Sequence, residues 1–175
     1  MLSRKSSQSA GKGGAIPTVP VPQTSQQILA QIPAPAGKSA TDQALAVALA
    51  KVREKDQVAA RWVVLGDVLA QVLRDTADEQ YYDLAEATYE YALRLDPKNV
   101  DAMTGMAWVT GGRHNFDKSR DWANRSLALD DTNAAAYGIL GDADMELGDD
   151  YGAGQHYERD GNDPARHTTD RHPPG

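Results

Sequence analysis

The chain has 175 residues, room for one domain with tails; 25% of them are charged, 41% are hydrophobic and none is cysteine. The missing cysteines exclude disulfides, thiolate metal sites and a cysteine nucleophile together. The net charge of −7 is unevenly placed: residues 1–40 hold Arg4, Lys5, Lys12 and Lys38 and no acid, so the rest of the chain carries −11.

A net-acidic body argues against nucleic acid or an anionic membrane as partner. The apolar stretches fall far short of the roughly 20 residues that a membrane helix needs, so no membrane span is expected. Basic residues near the amino terminus have no apolar core behind them. No secretory signal is read there, and the cytoplasm is the expected compartment.

Residues 1–40 are rich in Ser, Gln, Gly and Pro, with prolines at Pro17, Pro20, Pro22, Pro33 and Pro35. Such a segment removes backbone donors and has too little apolar mass to offset its ordering entropy. A flexible tail is expected, serving as a tether or docking motif, with no more than a transient helical turn or two over Ser25–Ile32. Order is expected from Thr41, where Thr41-Asp42 makes a cap and first turn before Leu45, Leu49 and Val52 at helical spacing.

A second helical pattern carries Trp62, Leu65, Leu69, Val72 and Leu73. A third runs through Tyr82, Ala85, Tyr89, Ala92 and Leu93 and stops at Asp96-Pro97, because proline cannot continue the helix. The pattern resumes with Met103, Met106 and Thr110, then Trp122, Ala123 and Leu127, then Tyr137, Leu140 and Gly141, and last Ala153 and Tyr157. No segment alternates as a strand would. The abundance of alanine, with a single Phe, also favours helices.

Two stretches superimpose: Tyr89 to Asn99 (YEYALRLDPKN) and Ala123 to Asn133 (ANRSLALDDTN), 34 residues apart. That is the period of the tetratricopeptide repeat. The last unit carries Tyr137, Leu140-Gly141, Gly148, Ala153 and Tyr157. The first carries Trp62, Leu65-Gly66, Ala85, Tyr89, Ala92 and Pro97 across 41 residues, seven more than the period. Seven residues are about two helical turns, so the first helix can lengthen while keeping its buried face. The middle unit departs most, with Met106-Ala107, Ser119 and Asp131 where Leu-Gly, a small residue and proline are usual.

On these residues the chain resembles the tetratricopeptide repeat family, in the manner of bacterial repeat proteins of unassigned role. The resemblance implies an all-α fold, a short right-handed superhelical solenoid of antiparallel helix hairpins. It spans residues 41–159, with a half unit at 42–56 and units at 59–99, 100–133 and 134–159. About three units sit at the lower limit for a stable array, so marginal stability is expected unless a partner caps it.

Residues 160–175 (DGNDPARHTTDRHPPG) break the pattern and are expected to be an irregular tail. Codons for residues 160–165, read one nucleotide later, permit Met-Ala-Thr-Ile-Arg-Pro, a run of the kind that closes such a unit. A frameshift after Arg159 is therefore an expectation that the nucleotide sequence tests.

No catalytic centre is read. Gly11-Lys12-Gly13-Gly14 lacks the spacing of a phosphate loop. His114, His156, His167 and His172 form no ligand set, and His156 with Asp160 supplies only two ligands, so no metal or other cofactor is expected. The Asp130-Asp131 and Asp149-Asp150 pairs fall where turns are expected.

The resemblance implies that the first helix of each hairpin lines a concave groove for a partner's peptide. The positions it marks are Val63, Asp67 and Ala70; Asp101, Thr104 and Trp108; and Gly138, Asp142, Met145 and Glu146. Four are acidic and none is basic. A grip on a terminal carboxylate through Lys, Arg and Asn is thus not expected, and a basic or amphipathic segment is, with cation–π contact to Trp108. The alternative is that these acids only solvate a surface and Trp108 is buried between units. The function expected is a protein–protein interaction module or scaffold. The other readings are a regulatory or targeting fragment of an enzyme, or a part of an envelope or pilus assembly system.

Overall fold

The computed structural model describes residues 23–160. The described residues form eight helices and no strand: α1 (Ser25–Gln31), α2 (Ala40–Glu54), α3 (Ala59–Thr76), α4 (Gln80–Leu95), α5 (Val100–Gly112), α6 (Phe116–Leu129), α7 (Ala134–Leu147) and α8 (Asp150–Asp160). The Gly11–Gly14 run, His167, His172 and residues 161–175 lie outside the described residues; Asp160, the first residue of the run that suggests a frameshift, ends α8.

Helices α3 to α8 pair as three antiparallel hairpins stacked in chain order, with α2 packed on α3 ahead of them. The spacing of the apolar residues explains the packing. Trp62, Leu65 and Leu69 on α3 are fully buried, as are Ala85 and Ala92 on α4, and Tyr89 nearly so. Trp62 tilts on Tyr91 with ring centroids 4.3 Å apart, and its indole N–H donates to the Asp56 carbonyl at 2.7 Å. Its one polar atom is thereby satisfied inside the core.

The two inter-hairpin turns are built alike. Asp96 and Asp130 end α4 and α6 and accept from the backbone N–H two residues on. Asn99 and Asn133 then cap α5 and α7, accepting from Ala102 N and Ala136 N. Asp131 replaces the proline of the first turn without altering this arrangement.

The seven extra residues of the first hairpin enter both of its helices. Helix α3 has 18 residues against 13 for α5, and α4 has 16 against 14 for α6. Laid over α5 from its first residue, α3 exceeds it by the segment Val72–Thr76. Among the described residues no helix is long and apolar enough to cross a membrane.

Two expectations fail at the amino-terminal end. The chain is ordered well before residue 41, because Thr24 and Gln27 form a capping box on α1 and Ile28 and Ile32 are buried. Helix α1 packs on α4, and the Ser25 hydroxyl donates to Asp56 at 2.7 Å. The cap of α2 is Ser39, with Asp42 completing the capping box, and the Thr41 hydroxyl instead donates to Asp75 at 2.5 Å.

Candidate functional site

Helices α3, α5 and α7 wall an open groove, formed of two cavities of about 510 Å³ each that share Trp108 and Ile139. Val63, Asp67, Ala70, Asp101, Thr104 and Trp108 line the first. Asp142, Met145 and Glu146 line the second. Gly138 is half-buried and lies outside the lining of both.

These residues differ in what they offer a ligand. Val63 and Ala70 are buried in the floor, whereas Val64, passed over in the sequence, is 48% exposed, and Met145 is 50% exposed. The Thr104 hydroxyl is already engaged. It donates to the Val100 carbonyl at 3.0 Å, accepts from Asn133 at 2.9 Å and lies 2.9 Å from the Ser126 hydroxyl. Asp67, Asp101, Asp142 and Glu146 are exposed carboxylates.

Asp67 receives the Tyr89 hydroxyl bond at 2.8 Å. The residue as a whole is open to the groove, but partial burial of its carboxyl pushes it above the usual carboxylate range. The Asp101 charge adds to that rise, while the Tyr89 bond and Arg74 oppose it. Burial, and then Asp67, push the Tyr89 phenol strongly upward as well.

The groove also holds Arg74, Asn99 and Asn133, which corrects the expectation that it lacks Arg and Asn. All three are occupied. The two asparagines cap helices, and Arg74 lies over Trp108, its guanidinium carbon 5.2 Å from the ring centroid. Tyr82 stacks beside Trp108 at 6.1 Å, and Arg113 lies over Tyr82 at 5.8 Å. Trp108 is therefore half-buried inside a ladder of cations and rings, and the cation–π contact expected from a partner is already made within the chain. The sequence missed Arg74 because the repeat pattern ends before the last turn of α3.

A cleft of about 990 Å³ opens on the side of the second helices, between α1, α4 and α6, with Leu93 and Trp122 among its apolar residues. Burial, and then Glu86, push the Glu90 carboxyl at its rim upward. Among the described residues no three His, Asp or Glu side chains gather as a metal site.

Stacked hairpins with this turn chemistry define the class: the chain is a short tetratricopeptide-type solenoid. Solved structures agree on the fold. TTC0263, a thermophilic TPR protein of Thermus thermophilus, is similar with TM-score 0.63 at 18% identity, over 74% of this chain and 68% of that one. MamA is similar with TM-score 0.57 at 14% identity, over 77% and 70%. A second MamA structure, MSR-1 C2, gives TM-score 0.54 at 17% identity, over 74% and 70%. No protein-family model and no curated protein matches the sequence.

Proposed function

We propose that the chain is an interaction module that holds a segment of another protein in the groove of α3, α5 and α7, and that the segment is amphipathic with basic residues. The observation that carries this reading is the composition of the walls. Exposed Val64 and Met145 stand among four carboxylates, with Arg74 as the one guanidinium. A partner that buries apolar side chains there and neutralises the carboxylates gains from both effects.

The reading is tested by capture from a lysate of the source cells. Val64→Lys combined with Glu146→Lys changes two exposed positions, which the fold tolerates. A partner retained by the wild type should be lost by the double variant, weakened by Trp108→Ala, and released as salt rises past the range where charges are screened. A partner retained equally by all of them, at any salt, refutes the reading.

A further inference from the structure

We infer that Arg74 is a built-in occupant of the partner's cation site, a guanidinium that the chain lays on Trp108 until a basic side chain of the partner replaces it. The inference rests on the groove reading above and names what that groove selects.

Three observations carry it. Arg74 lies within Val72–Thr76, the segment by which α3 exceeds α5, and in the alignment α7 also ends before this position. The extra turn brings a cation over the Trp108 ring, beside which Tyr82 stacks. Arg74 is also loosely held. It is exposed, its hydrogen bonds go to the neutral amide oxygen of Gln71 at 3.1 and 2.8 Å, and among the described residues it makes no ion pair. Arg113, in the same ladder, is anchored by both Asp83 and Glu86.

Displacement therefore breaks one cation–π contact and makes another. The released guanidinium has carboxylates at hand, since its charge already acts on Asp67 and Asp75. An acidic partner would behave oppositely, because it would use Arg74 as a contact and be repelled by the four carboxylates. The sign of the effect of removing Arg74 thus reports the chemistry of the partner.

The probe is a synthetic peptide amide of alternating arginine and leucine, with a second peptide carrying neutral citrulline in place of arginine. Calorimetric titration is done on the wild type, Arg74→Ala, Trp108→Leu and the double variant. Arg53→Ala, an exposed cation on α2, controls for net charge. Arg74→Ala should bind the arginine peptide about two- to fivefold more tightly, the size of an exposed cation–π contact, and should leave the citrulline peptide unaffected. The gain should vanish when Trp108 is also replaced.

The inference is overturned if Arg74→Ala weakens binding, leaves it unchanged or shows none. It is equally overturned if the gain survives loss of Trp108 or is matched by Arg53→Ala. Failure of the groove reading shows elsewhere, as a native partner that survives Val64→Lys with Glu146→Lys, and leaves the peptide cycle readable.

Discussion

The Tyr89 hydroxyl donates to the Asp67 carboxylate at 2.8 Å and so ties the second helix of the first hairpin to the first. Tyr157 repeats the bond on Asp142 at 2.8 Å in the third hairpin. Beneath each ring sits a glycine. A Cβ at Gly66 would meet Tyr89 Cε1 at 2.5 Å, and one at Gly141 would meet Tyr157 Cε1 at 2.7 Å. In the middle hairpin Ala107 and Ala123 take the glycine and tyrosine positions, and Trp108 stands where the aspartate would be. Glycine goes with tyrosine because the ring leaves no room for a Cβ beneath it, and where the ring is absent two fully buried alanines fill the contact.

Gly66→Ala should therefore destabilise the protein by about 1–3 kcal/mol, although alanine is the better helix former. Two buried residues of α4 resist the methyl, since the Thr88 hydroxyl also lies 2.8 Å from its position. Urea unfolding of the wild type and the variant decides the matter. A variant as stable as the parent, or more so, would mean that the ring simply moves aside.

A left-handed residue follows the first helix of each hairpin: Ala77 at φ 54° and Gly148 at φ 82° cap α3 and α7 directly, and His114 at φ 59° comes one residue after Arg113, the cap of α5. Only Gly148 is the residue that this conformation prefers. Ala77→Gly should stabilise the protein by about 0.5–1 kcal/mol, the relief of left-handed strain outweighing the freer unfolded chain. Thermal unfolding checks it, and a lowered midpoint would refute it.

The period of 34 residues made the hairpins legible, because Asp96-Asn99 and Asp130-Asn133 are the same turn written twice. Helix α1 was only half legible: the helical turns over Ser25–Ile32 were read, their fixed place against the array was not. Seven residues and two buried isoleucines give too short a pattern to stand out from a segment rich in Gln and Pro. Its stability comes from the distant Asp56 and from α4, which no local reading contains. The groove was half legible: its carboxylates follow from repeat positions, but Arg74 comes from the turn that breaks the repeat. Val64 was missed because the pattern pointed to its buried neighbour Val63.

The Asp67 carboxyl gives the fold a pH dependence of defined sign. Its proton affinity in the folded state is raised above the ordinary value of 3.8, chiefly by burial and then by Asp101. The folded state therefore favours the protonated group. The stability this permits is present below the unfolded value and is lost as pH rises through the folded one. Asp67→Asn should stabilise the protein near pH 7 and do little at pH 3, with the Asn amide oxygen still able to accept from Tyr89. The carboxyls of Asp42, Asp56 and Asp130 are held low by hydrogen bonds, so they act in the opposite direction. They are common to both proteins and cancel in the difference. Urea midpoints for the pair at the two pH values test the argument, and an equal gain at both would remove it. The same sign carries to binding. A cation docked beside Asp67 favours its ionised form, so a basic partner should drive off a proton and bind more weakly as the medium is acidified toward pH 4.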